Sequence, residues 1–378
     1  MCRASNSAFK RHNWGTLFLC LAISLLSCSH GQAQPKDPMK PQLSDLQVIS
    51  PEQAGFNRDS IANLMALIRA TPPNDFRGLV VIKDQQIAIE EYFNTYWRNS
   101  VHDIRSAGKS VTALLLGIAL KEGLVDNLDR DVYSFFAKSK FPNINEDYRR
   151  ITLRNLLDMA SGLDADTDNP QSSGHASKWI ARDDWRDYLL QVPLTYEPGS
   201  RYVYADINPL LIAGVIEETS GMSLQDFARQ KLFNPLGIKQ FYWYTNAANQ
   251  TGAAGNLYLS TLDFAKLGVL VINGGKWGSQ QLLDAGYIKS LYKESFDLRD
   301  DNPYSDAYGM FWYKSHRTFG KNKFDYIYAS GNGGNHLIVI PRHKMVIALT
   351  SSAYGPGIGH GRSYTIMGKI LEAFEPTP

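Results

Sequence analysis

From Val111 to Leu120 the chain is apolar on nearly every face, so a helix formed there must be buried, and the rest of the fold has to wrap it. Ser106 stands where that helix begins and can cap it by accepting a hydrogen bond from an orphan N–H. Lys109 follows three residues later, a spacing that sets both side chains on one helix face. Desolvation and the positive end of the helix macrodipole both disfavour a cation at the start of a buried helix. Lys109 is therefore expected to give up its proton easily, as a base beside a serine hydroxyl must. Taken alone, these residues fit a capping serine followed by a snorkelling lysine better than they fit a catalytic pair.

The chain has 378 residues, 44% hydrophobic and 20% charged, enough for a large core in one domain or two interleaved ones. Its formal charge is +2, and removing Arg3, Lys10 and Arg11 brings it to about −1, so bulk electrostatics point to no nucleic-acid partner. Those three cations precede an apolar run from Trp14 to Leu26, the layout of a signal peptide over residues 1–27. The run is short for a membrane span and ends in Leu25-Leu26-Ser27-Cys28, which resembles a bacterial lipobox. Cys28 is thus expected to carry a lipid anchor that holds the protein at a membrane of the cell envelope. Cleavage after Gly31-Gln32-Ala33 would instead release a periplasmic or secreted protein. The three cysteines all lie in the first 28 residues, so no disulfide is expected in the mature domain.

Residues 28–47 read as a tether and 48–375 as the folded domain. Apolar spacing predicts a helix over Ser60–Ala70, and Leu79–Ile82 and Ile87–Ile89 flank Lys83-Asp84-Gln85-Gln86 as a hairpin. Between about 126 and 275 the signals are helical: Ile151–Leu163, Pro209–Gly221, Ser223–Leu232 and Asp263–Ile272. Strands return at Ala307–Tyr313, Asp325–Ala329, His336–Ile340 and Lys344–Thr350, before a last helix over Tyr364–Phe374. The fold class is therefore α+β: a sheet region (48–125 and 276–375) carrying an all-helical insertion (126–275).

Several motifs are excluded. Gly108-Lys109-Ser110 mimics the end of a P-loop, but Asp103 stands where that loop needs glycine. No H-E-x-x-H and no Cys/His cluster supports a metal, no G-x-S-x-G elbow is present, and no cofactor is implied. Two further segments stand out. One is Tyr202-Val203-Tyr204-Ala205-Asp206-Ile207-Asn208, after Glu197-Pro198-Gly199-Ser200. The other is Ser330-Gly331-Asn332-Gly333-Gly334-Asn335, whose glycines let backbone N–H groups approach a ligand.

In this order and spacing, Ser106-x-x-Lys109, Tyr204-x-Asp206 and the glycine loop resemble the serine β-lactamase and penicillin-binding-protein superfamily, in its class C-like and esterase branch. The resemblance runs from about Val48 to Phe374 and takes in Ile151–Leu163, Tyr196–Ser200, Leu232–Ile238, Ala254–Leu257 and Gly331–Pro341. It implies a β-lactamase/transpeptidase-like antiparallel sheet flanked by helices. It also implies Ser106 as nucleophile, Lys109 as the group easing its deprotonation and Tyr204 as base and acid partner. The Ser106 N–H and that of Asn332 would form the oxyanion hole, and Asp206, Gly331 and Gly333 would contact substrate. Two departures matter. The family's Tyr-x-Asn reads Tyr204-Ala205-Asp206, and Asp206 as a carboxylate cannot donate to a substrate carbonyl. The Lys-Thr-Gly motif is missing, with no cation between Tyr328 and Gly333, which favours relatives acting on esters or amides, among them 6-aminohexanoate-oligomer hydrolases. The expected activity is hydrolysis of a small ester, amide or peptide. The alternatives are a DD-peptidase or β-lactamase and a silent cell-wall-binding member of the fold.

Overall fold

The computed structural model describes residues 46–355 and 357–375, all within one compact unit spanning Pro41–Pro378. The expected signal peptide, Cys28 and most of the tether lie outside the described residues.

Alternating branched and aromatic residues build an eight-stranded antiparallel sheet. Across it run Gln86–Tyr92, Phe76–Lys83, Met345–Ser351, Asn335–Ile340, Asn322–Gly331, Trp312–Phe319, Ala307–Gly309 and Phe296–Asp297. The period of two sorts each strand between two cores. Val80, Ile82, Leu337 and Val339 enter one core, while Leu79, Val81, Ile338 and Ile340 enter the other. The second core lies beneath the helices Arg58–Ala70 and Ile358–Glu372, whose apolar faces include Ile61, Leu64, Ile366 and Ile370. The first hairpin turns at Asp84 and Gln85, both left-handed (φ 50° and 64°), as a two-residue connection between twisted strands requires.

The helix Gly108–Lys121 sits in the first core, with every residue from Gly108 to Ala119 buried. Leu114, Leu115 and Leu116 are each at most 1% exposed, and burying such a side chain contributes about 1.5–3 kcal/mol. The helix packs against Ile207–Ser220, which Gly221 stops in the left-handed conformation (φ 70°).

The inserted region is not all-helical. Tyr242–Trp243 and Leu257–Ser260 form a small sheet with Val101–Asp103, because strands of two to four residues leave almost no periodic trace. Thr261–Ile272, expected as part of the insertion, packs on the main sheet against Phe76–Lys83, Asn335–Ile340 and Met345–Ser351. The helix expected over Ile151–Leu163 is only Leu153–Leu157. It is started by a Thr152/Asn155 capping box and ended by Met159 at φ 56°. The single strand expected over Ala307–Tyr313 is two strands, turned back at Met310 and Phe311.

That turn sits over a buried cation. Lys314 is 2% exposed, and its Nζ donates to the Gly309 and Trp312 carbonyls, with no salt-bridge partner among the described residues. Burial pulls its pKa down to about 7, against the weaker opposing pull of Asp158 and Glu294. Between about pH 7 and the ordinary lysine value the unfolded chain binds this proton and the folded one does not, so stability rises with pH there. Lys314→Met removes that slope. Denaturant melts of both proteins should show the difference moving in favour of the wild type, on the order of a few kcal/mol, between about pH 7 and pH 10. Parallel curves would show that Lys314 does not titrate in this window.

Candidate active site

Ser106 lies on a 3-10 turn, Arg105–Ala107, which leads directly into the buried helix. It does not cap that helix: the capping position falls on Ala107, with no side-chain bond. The Ser106 Oγ instead accepts a hydrogen bond from the Lys109 Nζ at 3.0 Å. Lys109 is 1% exposed, and its ammonium donates further to the Ala254 carbonyl at 2.7 Å and pairs with the Asp206 Oδ1 at 2.8 Å. An ammonium has three N–H groups, and these three acceptors use them all.

This overturns the expectation of an easily deprotonated lysine. Burial does work against the charge, but Asp206 and then Tyr204 outweigh it and hold the Lys109 pKa above the ordinary lysine value. With no lone pair to offer, Lys109 cannot accept the Ser106 proton in this state. It acts as a fixed positive charge beside the serine. Asp206, expected to face substrate, is the counterion of Lys109. Its side chain is 22% exposed, so the pair sits at the edge of solvent.

Tyr204 reaches the same point, its ring centroid 4.9 Å from the Lys109 Nζ. The helical region holds this segment in place. Val203 N–H donates to the Met159 carbonyl, Ala205 N–H to the Met159 Sδ at 3.5 Å, and Asp206 N–H to the Thr167 Oγ1 at 3.0 Å. Upstream, Gly162 (φ 77°) lies so close to the Tyr196 carbonyl that a Cβ would sit 2.2 Å from its oxygen, which only glycine allows.

The glycine loop arrives from the sheet. A Cβ at Gly331 would lie 2.0 Å from the Ile104 carbonyl oxygen, so only glycine lets this strand end lie against the turn carrying Ser106. A Cβ at Gly333 would lie 2.8 Å from the Ser351 carbonyl oxygen and 2.9 Å from the Tyr354 ring. Asn332 is exposed. Its carbonyl is held by the Asn335 Nδ2 at 2.8 Å, and its Oδ1 accepts the Gly355 N–H at 3.4 Å. Among the described residues neither the Ser106 N–H nor the Asn332 N–H donates to a protein acceptor, so both stay available to a developing oxyanion. The site thus lies where sheet and helical regions meet. Among the described residues no group of three or more His, Cys, Asp and Glu is placed to hold a metal ion.

The sequence reading missed the Ala254 carbonyl as a ligand of the ammonium. Backbone acceptors carry no residue signature, although Ala254–Leu257 stood out as a family segment. The structure shows why the segment matters. Trp243 Nε1 donates to the Gly252 and Gly255 carbonyls, and Thr112 Oγ1 to that of Ala253, which together aim the intervening Ala254 oxygen at Lys109.

A serine bonded to a buried, counter-charged lysine, with a tyrosine beside both and a strand end packed on the serine turn, defines a serine hydrolase of the β-lactamase/transpeptidase fold. The chain belongs to the Beta-lactamase family, which it matches over residues 66–367. It is 23% identical to an Escherichia coli O157:H7 protein named "Putative D-alanyl-D-alanine carboxypeptidase", over 89% of this chain and 91% of that one. Among solved structures it is similar to a "Putative 6-aminohexanoate-dimer hydrolase from Bacillus anthracis", with a TM-score of 0.69 and 20% identity over 89% of this chain and 90% of that one. It is also similar to a family VIII carboxylesterase, with a TM-score of 0.67 and 14% identity over 87% of this chain and 98% of that one.

The ion pair makes its own demand. Asp206→Asn leaves the Lys109 charge buried without its counterion, so the ammonium loses its proton at lower pH. A kcat/KM profile of the variant on any turned-over ester should show its alkaline limb moved to lower pH. An alkaline limb that coincides with that of the wild type would mean that Asp206 does not keep Lys109 charged.

Proposed function

We propose that this chain is an exported serine hydrolase that cleaves an ester or amide bond through an acyl-enzyme on Ser106. What carries the reading is the saturated Lys109 ammonium, which holds the Ser106 Oγ with one N–H and presents its charge to Tyr204. The Tyr204 oxygen takes the Ser106 proton as Oγ bonds to the substrate carbonyl carbon. The carbonyl oxygen becomes an oxyanion facing the Ser106 and Asn332 N–H groups. Collapse breaks the bond to the alcohol or amine, which leaves with the proton from Tyr204. Water then bonds to the acyl carbon as it gives a proton to Tyr204, and breaking of the bond to Oγ releases the acid while Tyr204 returns that proton to Ser106.

Intact mass after a fluorophosphonate probe tests this directly, followed by rates on short p-nitrophenyl esters. Labelling should vanish in Ser106→Ala and persist weakly in Tyr204→Phe. Ser106→Ala, Lys109→Ala and Tyr204→Phe should each lose most activity, and the triple variant little more than the worst single, because the three act as a unit. Labelling that survives Ser106→Ala and maps to Ser110 or Ser330 would move the nucleophile elsewhere.

The name of the Escherichia coli relative supports a second reading, a DD-peptidase. A D-alanyl-D-alanine peptide and nitrocefin belong in the same panel. The absence of a Lys-Thr-Gly lysine favours esters over nitrocefin, and faster turnover of nitrocefin would make the β-lactamase alternative the main reading.

The reading places the protein in the cell envelope, anchored through a lipid on Cys28. Cys28→Ala should be unprocessed or mislocalised on fractionation of a bacterial host. Export with cleavage after Ala33, as efficient as in the wild type, would replace the anchor with a released protein.

A further inference from the structure

The small sheet beside the nucleophile turns one face outward, and that face is lined with rings. Tyr242 stands directly opposite Tyr258, and Tyr258 opposite Asp103, so the three side chains share a face. The Tyr242 and Tyr258 rings meet edge to face, their centroids 5.5 Å apart. Trp243, pointing the other way, is fully buried. Tyr244 continues the row, stacked on the buried Trp185 ring at 6.0 Å, and its N–H donates to the Asn256 carbonyl at 3.2 Å. At the other end Tyr354 carries the Arg105 guanidinium, 4.5 Å from its ring centre. Tyr242, Tyr244 and Tyr354 are 54%, 39% and 45% exposed, and exposed rings gathered in this way mark a place of contact. The row runs into the active site. Ile104 N–H donates to the Leu257 carbonyl at 3.0 Å, and a Cβ at Gly255 would lie 3.2 Å from the Arg105 carbonyl oxygen and 3.6 Å from the Ser106 nitrogen. Three peptide steps from Asp103 to Ser106 and one strand spacing keep the Tyr258 and Ser106 Cα atoms within about 16 Å of each other.

The two charges that act on Tyr258, Asp103 and Arg105, are paired with each other at 3.2 Å. Burial holds the Tyr258 hydroxyl above its ordinary pKa, so the rings stay uncharged. A neutral row of tyrosine faces favours a flat apolar group over an ion, because aromatic pairs gain from edge-to-face and offset contact beyond the area they bury. Since the row is continuous with the turn that carries Ser106, the group that covers it is part of the molecule being cleaved. We infer that Tyr242 and Tyr258 form a ring-stacking subsite, which selects esters or amides bearing an aromatic ring several bonds from the scissile carbonyl. Tyr244 and Tyr354 extend it at its two ends. This rests on the hydrolase reading above and adds the substrate class to it. No bond is made or broken at the subsite. The ring docks there while Ser106 attacks.

The test uses pairs of esters that carry a phenyl or a cyclohexyl ring on the same alkyl spacer, the spacer lengthened one carbon at a time. One series is p-nitrophenyl esters of the ring-bearing acids, the other acetates of the ring-bearing alcohols followed by acid release. The readout is the phenyl-to-cyclohexyl ratio of kcat/KM within each pair. Wild type should favour phenyl by about 3- to 10-fold at the best spacer in one series. Tyr242→Leu and Tyr258→Leu keep apolar area and lose a ring, so each should bring that ratio toward 1, whereas Tyr258→Phe should keep it. If Tyr258→Leu does not fold, the exposed Tyr242 decides. Ratios at or below 1 throughout in the wild type, or unchanged in Tyr242→Leu, would overturn the subsite. A wild-type dimer that Tyr242→Leu dissociates without moving the ratio would overturn it too, and make the row a contact between two copies of this chain. Failure of the wild type to hydrolyse any of these esters, or full activity in Ser106→Ala, would instead count against the hydrolase reading. The Kd ratio of phenyl- and cyclohexylalkanamides, measured by calorimetry on wild type and Tyr242→Leu, would then decide the subsite by the same criterion.

Discussion

A positive charge sealed inside the protein sets the terms for everything around it. Lys109 is carried into the interior by a helix that is apolar on every side, and a lone ammonium there would be several kcal/mol too costly to keep. Three groups from three parts of the chain accept from it: the serine one turn before it, the Ala254 carbonyl and the Asp206 carboxylate. None of the three is near another in sequence. The nucleophile, the segment that follows Tyr204 and the loop before Leu257 must therefore converge on a single nitrogen, and the two regions of the fold are pinned together at that point. Catalytic geometry and fold specificity are consequences of the same interaction.

The rest of the scaffold can be understood as aiming these three groups. The small sheet of Val101–Asp103, Leu257–Ser260 and Tyr242–Trp243 ties the strand before Ser106 to the loop bearing Ala254, and Ile104 N–H donates to the Leu257 carbonyl at 3.0 Å. Met159 and Thr167 hold the backbone from Val203 to Asp206, so the tyrosine and its neighbouring carboxylate move as one piece. Tyr308 extends the arrangement toward the sheet, edge-on to Tyr202 at 5.2 Å and to Tyr313 at 4.7 Å. Burial holds the Tyr202, Tyr308 and Tyr313 hydroxyls far above the ordinary tyrosine pKa, so these three stay neutral.

Much of this was legible in the residues. A continuous apolar run can only be a buried helix, period-two alternation marks the strands of the main sheet, and the spacing of Ser106, Lys109, Tyr204 and the glycine loop identifies the site. What stayed hidden depends on tertiary encounter. The helix alone offers burial and a macrodipole, which both predict a lowered Lys109 pKa, whereas the carboxylate that raises it arrives from residue 206. The same holds for Asp206: a carboxylate in a family asparagine position shows what it cannot donate, not that it is paired with Lys109. The strands within the insertion are too short to show a period, and the Ala254 oxygen belongs to no side chain.

The left-handed backbone follows a related logic. At exposed turns the non-glycine residues with positive φ are Asp84, Gln85, Asn94, Thr95, Asn249, Asn256 and Lys344, mostly small or polar side chains. Around the site they are Arg105, Met159, Met310 and Phe311, which bear longer or bulkier side chains in a conformation costing about 1–2 kcal/mol each. Each is held by specific bonds. Asp103 takes the Arg105 N–H, Met159 serves the Tyr204 segment through its carbonyl and its sulfur, and Met310 N–H donates to Asp158. Phe311 N–H donates to the Leu157 carbonyl, and its own carbonyl accepts from Ser110, the neighbour of Lys109. A glycine at these positions would relieve the strain but lose the guanidinium, the sulfur or the apolar side chain. Strain and side-chain identity are therefore selected together here, and such positions cannot be found by looking for the residues that turns prefer.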